Sequence, residues 1–219
     1  MEPIQRLLLA FPGLLLALCF HEFAHAWVAV REGDDTPLRD GRVTLDPRAH
    51  LDPIGSLLFP AIGALSGVPL LGWAKPVMTN PRNYRHYRAG DIRVSLAGVT
   101  ANLILAVVLG IAAGALLPYA GPDGGGGVLA TAAMMCLYAV YVNIGLMLFN
   151  LLPVPPLDGS HVLYHFLPPA AGAQYRALFP YGFLILYALL FTGALRLFGP
   201  VIQFLASLAI VPWMRLFHG

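Results

Sequence analysis

The chain alternates between long apolar stretches and short polar turns. Leu7 to Val30 lies between Arg6 and Arg31 and carries Glu22 as its only charge. Val94 to Pro122 and Gly124 to Leu157 are free of charge, and Ala177 to Leu195 and Leu197 to Met214 follow on either side of Arg196. A helix rises 1.5 Å per residue, so about 20 apolar residues cross the hydrocarbon core of a bilayer. These five stretches predict membrane spans. A sixth, Pro53–Ala74, is apolar but broken by Pro53, Pro60 and Pro69 and by four glycines, which is poor helix material. Arg31, Arg39, Arg42 and Arg48 precede it, and Lys75, Arg82, Arg85 and Arg88 follow it. The positive-inside rule places both flanks in the cytoplasm, which predicts a re-entrant or interfacial segment; an ordinary crossing is the plain alternative.

The expected fold is an all-α polytopic membrane protein with about five to six transmembrane helices and one re-entrant or interfacial segment. Residues 1–219 form a single membrane-embedded domain, with the N-terminus and the Gly121–Gly127 turn outside. Residues 31–52, the Pro153–Arg176 loop and the C-terminus fall inside. Composition agrees: 58% of residues are hydrophobic and 11% charged, far from the balance of a soluble domain. A net charge of +2, with no basic run interleaved with aromatics, excludes a nucleic-acid partner. Cys19 and Cys136 sit in apolar stretches and make neither a disulfide framework nor a C-x-x-C motif. Arg6, Leu7–Cys19 and Ala24-His25-Ala26 loosely fit a cleaved leader, but cleavage there would destroy the strongest motif in the chain.

That motif is His21-Glu22-Phe23-Ala24-His25, an H-E-x-x-H sequence within the first apolar stretch. Residues four apart share a helix face, so both imidazoles can reach one ion, with Glu22 rotated about 100° to meet water bound there. Two histidines, an open position for water and a carboxylate base are the elements of zinc-dependent peptide hydrolysis. Histidines hydrogen-bonded within a bundle are the bland alternative. It is weakened because three ionisable residues in five positions of a membrane helix are costly to insert. A third ligand is required, and spacing leaves it open. His50 and His86 fall among charged, solvated positions, and His218 is next to the C-terminus. Asp158 ends a long uncharged stretch after Pro153, Pro155 and Pro156, where it could equally cap the next helix; His161 and His165 are the other candidates.

His21-Glu22-x-x-His25, followed by Asn150-Leu-Leu-Pro-x-Pro-Pro-Leu-Asp158-Gly159, resembles the site-2 protease family of intramembrane zinc metalloproteases. The chain looks like the compact bacterial type without a PDZ or CBS domain. The resemblance runs from about Leu7 to Leu163 and includes Gly72-Trp73-Ala74-Lys75-Pro76-Val77 and Asn80-Pro-Arg-Asn83, similar to a linker in compact members. It implies one Zn2+ per chain on His21, His25 and Asp158, with Glu22 as general base. Gly98-Val99-Thr100-Ala101-Asn102 is similar to the family's Gly-Pro-x-x-Asn pattern, with Val99 where proline is usual. It implies that Asn102 orients substrate or stabilises an oxyanion; hydrogen bonding between helices is the simpler role for Asn102 and Asn143. Where members often carry Gly-Gly-Arg after the aspartate, this chain has Gly159-Ser160-His161, so His161 stands in the place of the arginine.

The implied core, about residues 7–165, is three helices carrying His21/His25, Asn102 and Asp158, with 177–217 as additional spans. The implied reaction is hydrolysis of a peptide bond in or near a transmembrane segment of a membrane protein. The lipid bilayer is the expected environment, the bacterial plasma membrane the expected location, and the site opens toward the cytoplasm. An adaptor or a prior protease is a possible partner. A metal transporter or a non-catalytic membrane scaffold is the alternative; in a transporter Glu22 would be a ligand or dispensable.

Overall fold

The computed structural model describes residues 2–66, 72–120 and 127–218. Its helices are α1 (Pro3–Glu32), α2 (Thr36–Arg39), α3 (Pro47–His50), α4 (Phe59–Ser66) and α5 (Tyr87–Leu116). They continue with α6 (Val128–Asn150), α7 (Asp158–Tyr164), α8 (Pro169–Arg176), α9 (Gly182–Phe191) and α10 (Phe198–His218). No strand occurs among the described residues. Among the described residues, five helical stretches are long and apolar enough to cross a membrane: Ile4–Glu32, Tyr87–Tyr119, Val128–Asn150, Pro169–Phe191 and Ala194–Phe217.

Helix α1 starts with proline in its first turn and closes at Gly33, which adopts φ 111° and donates its N–H to Val30 O at 3.1 Å. Only glycine takes that left-handed conformation without strain, so the helix stops there. Helices α1, α5 and α6 pack against one another, and α10 lies along α5 and α6. The interior is built from small and polar side chains: Ala17, Ala26, Ala106, Ala113, Asn102 and Asn143 are buried. Large apolar residues such as Leu8, Leu103, Ile104, Val108, Phe204 and Leu208 point outward and are exposed. That distribution inverts a water-soluble protein and suits helices that meet through small residues within lipid. Gly13 shows how close the approach is, because a methyl there would stand 2.7 Å from Ala139 Cα on α6.

Several boundaries differ from the sequence expectation. The span expected from Val94 begins at Tyr87 and takes Arg88, Asp91 and Arg93 into α5. Arg93 pairs with Glu32 at 2.7 Å and Asp91 accepts a hydrogen bond from His165 at 2.7 Å, so neither charge ends the helix. The uncharged stretch to Leu157 stops being helical at Asn150, just before its first proline. The span expected over Ala177–Leu195 is instead α8, a 3-10 turn at Phe179–Tyr181 and α9. Pro180 removes a helical donor at that break.

The Pro53–Ala74 segment leaves and returns at one place. It winds through Pro53–Leu58 and α4; Trp73 N–H then donates to Gly55 O at 3.2 Å and Lys75 N–H to His50 O at 2.8 Å. Ser56 Oγ adds a bond to Trp73 O at 2.8 Å. Its expected glycine and proline at 67 and 69, and residues 121–126 of the expected outer turn, lie outside the described residues. The returning chain also corrects the solvated placement of His50. His50 is fully buried, and its Nε2–H donates to Thr44 O at 2.7 Å. Tyr84 is buried against Ala29 and Val94.

Candidate metal centre

His21 and His25 lie on the face of α1 turned into the bundle, and both are buried. His21 Nδ1–H donates to Asn102 Oδ1 at 2.7 Å, and His25 Nδ1–H donates to the backbone oxygen of Val94 at 2.7 Å. A carbonyl oxygen only accepts, so each ring spends its proton on Nδ1 and keeps a lone pair on Nε2. Those two Nε2 atoms are 3.0 Å apart. Asp158, the first residue of α7, brings Oδ2 to 3.4 Å from His21 Nε2 and Oδ1 to 3.5 Å from His25 Nε2. The N-cap of α7 is Leu157 and Asp158 is the first helical residue, so Asp158 does not occupy the capping position. Its Oδ2 is buried and accepts no hydrogen bond among the described residues.

Three acceptors converging without a donor repel one another unless a cation lies between them. Nitrogen and oxygen ligands about 2.0–2.2 Å from a tetrahedral zinc stand about 3.3–3.5 Å from each other. The two distances to Asp158 meet that spacing and the Nε2–Nε2 distance of 3.0 Å falls a little short of it; all three ligand atoms lie within 4.8 Å of one another, a group that could hold a metal ion. The donor set, two neutral imidazoles and one carboxylate, is one that catalytic zinc uses. Gly98 on α5 makes the room: a methyl there would stand 2.6 Å from His21 Nδ1.

Glu22 is buried beside the histidines, and its Oε2 accepts the backbone N–H of Val77 at 2.8 Å. Val77 belongs to an extended strap, residues 72–80, that follows the re-entering segment. Arg42 Nη2 donates to Pro76 O at 3.0 Å and holds one part of the strap. Asp34 holds the other, accepting Asn80 N–H at 2.6 Å and Asn83 Nδ2–H at 2.8 Å. Burial works to raise the Asp34 carboxyl, yet these bonds and those from Thr36 prevail and hold it below its ordinary value. Beneath the strap is a cavity of about 460 Å³ that reaches His21, Glu22, His25 and Asp158 and extends to Asn150 and His161.

The structure therefore brings His21, Glu22, His25 and Asp158 together around one cavity. Asn102 sits differently from its expected role toward substrate. It is fully buried behind His21, its Oδ1 engaged by that ring and its Nδ2–H given to Asn143 Oδ1 at 3.1 Å. His161 borders the cavity, half-exposed, and His86 is exposed at the head of α5. Two contributions had no side-chain signal in the sequence, because Val94 O and Val77 N–H are backbone groups. Asp91 did carry one, as an ionisable residue beside an apolar stretch.

A model of peptidase family M50, the site-2 protease family, matches residues 125–191, the part that holds Asp158. YwhC of Bacillus subtilis strain 168, provisionally named a zinc metalloprotease, is 36% identical over 183 residues, which cover 82% of this chain and 78% of YwhC. The chain belongs to peptidase family M50. Two further M50 relatives carry the same provisional name. Rip2 of Mycolicibacterium smegmatis is 36% identical over 86% of this chain and 69% of its own length. Rip2 of Mycobacterium tuberculosis H37Rv is 37% identical over 77% and 60%. No solved structure matches the chain. M50 membership makes the protein a zinc metalloprotease, and its five apolar helices make it an integral membrane protein.

Proposed function

We propose that this protein hydrolyses a peptide bond in or near a transmembrane segment of another membrane protein, with His21, His25 and Asp158 holding one zinc ion. The observation that carries the reading is the convergence of two unprotonated Nε2 atoms and a buried carboxylate at 3.0–3.5 Å inside an apolar bundle. Bound zinc supplies a water of lowered pKa and polarises a carbonyl oxygen.

The chain's own residues do the rest. Glu22 takes a proton from the attacking water and returns it to the departing amine. Val77 N–H donates to Glu22 Oε2 and orients the carboxyl group beside the histidines. Asn102 and the Val94 carbonyl fix both rings with Nε2 toward the ion. A helical substrate hides its carbonyls in i→i−4 bonds and must unwind locally before attack; Pro, Gly or Asn near the scissile bond eases this. Arg39, Arg42, Lys75 and Arg82, near the strap and its anchors, support a cytoplasmic opening in a bacterial plasma membrane.

The test is zinc per chain and cleavage of a quenched-fluorescent 24-residue Leu/Ala peptide with a central Gly-Pro pair in the same detergent (about 20 residues span a bilayer). Wild type is expected to hold about one zinc and cleave. Glu22→Gln should keep the metal and lose about 10²-fold or more in rate. A Glu22→Gln variant cleaving as fast as wild type would remove Glu22 as the base, and a folded wild type without zinc would end the reading.

A further inference from the structure

His165 has no role in the chemistry above, yet it is among the more deeply buried polar groups near the site. Its side chain is 5% exposed, and Nε2–H donates to Asp91 Oδ2 at 2.7 Å, with Asp91 itself 10% exposed. His161 Nδ1 stands 3.8 Å from the same oxygen. Asp158, His161 and His165 are spaced three and four residues apart, so they run along one side of the short helix α7 and its C-terminal cap. Asp91 belongs to the long helix α5. An ionisable residue inside a membrane span is costly to keep without a function.

Helix α7 needs such an anchor. Seven residues are too few to be stable alone, and a turn containing three prolines separates it from α6. Helix α7 packs chiefly on α5. On α5, Asp91, Val94, Gly98 and Asn102 follow one another by three or four residues and share a face. Val94 O takes His25, Asn102 Oδ1 takes His21, and Asp91 takes the far end of the helix that begins with Asp158.

We infer that Asp91 and His165 are a positioning pair for the third metal ligand, so that one face of α5 aligns all three ligands. The inference rests on the zinc reading of His21, His25 and Asp158. Breaking the bond strands a buried charge or a buried imidazole, which the structure relieves by moving α7 and Asp158 with it. Groups that orient metal ligands from behind change affinity by about 10–100-fold when removed.

The experiment is zinc affinity by chelator competition in the full-length, detergent-purified protein. Asp91→Leu, which removes the acceptor, is expected to weaken zinc binding about 10–100-fold. In an Asp158→Ala background the same Asp91→Leu change should have no further effect, because Asp91 acts through Asp158. A core variant of matched thermal stability, Ile144→Val, should bind zinc as wild type does; Ile144 is buried on α6 in a cluster that includes none of the three ligands. If Asp91→Leu fails to fold, His165→Gln, which keeps a donor, should retain the affinity that His165→Leu loses. Affinity within twofold of wild type in Asp91→Leu, or an equal loss with and without Asp158, would overturn the pair as positioning residues. Wild-type affinity in Asp158→Ala alone would overturn the zinc reading itself and the inference with it.

Discussion

Gly98 on α5 lies against both imidazoles of α1, with no space for a larger side chain. Gly98→Ala is therefore expected to displace His21 and His25 and weaken zinc binding by about 100-fold or more, as metal analysis after dialysis would read. Asn102→Ala should act more mildly, about 10–100-fold, since it frees the His21 ring without pushing it. At this scale the sequence disclosed what is local. His21, Glu22 and His25 declare themselves by spacing within a single helix, whereas Asp158 needed the resemblance to be preferred over His161. The direction in which Asn102 points was not legible. An asparagine in an apolar helix serves a substrate or a neighbouring ring equally well until the facing helix is known. Nor could Asp91 be paired with His165, because the contact joins positions far apart along the chain.

Among the elements, the strap at 72–80 reaches Glu22 through Val77 N–H, and Asp34 and Arg42 tie it down. The Asp34 carboxyl titrates lower in the folded protein than its unfolded value of about 3.9. Its contribution is therefore complete above that value and is lost as pH falls through the folded pKa. Thermal unfolding in detergent as pH falls below about 4 should show an acid limb in wild type that is reduced in Asp34→Asn. The spans themselves were readable from hydropathy to within several residues. Their ends were not, because the charges of Arg93 and Asp91 are compensated by partners on other helices. The return of Pro53–Ala74 to its starting point was legible only through the arginines flanking it. Its hydrogen bonds between Trp73 and Gly55 and between Lys75 and His50 belong to the folded chain.

For the molecule as a whole, orientation follows from which ends carry charge. On the proposed orientation, Arg39→Cys faces the cytoplasm and Val128→Cys the opposite side; Arg39 is 77% exposed and Val128 is 85% exposed. A membrane-impermeant maleimide applied to intact cells should label the second and reach the first only after permeabilisation. Native Cys19 is buried and Cys136 half-buried, so background is low. The reverse pattern would invert the topology. The three proposed ligands also come from distant parts of the chain, His21 and His25 from its beginning and Asp158 from beyond α6. An ion shared by them is in effect a cross-link, and it closes a loop of more than half the chain. Cross-links over long loops restrict the unfolded ensemble most. A protein severed between Ala120 and Gly127 would then be two fragments stapled by their metal, and they should reassociate more tightly with zinc than with a chelator present.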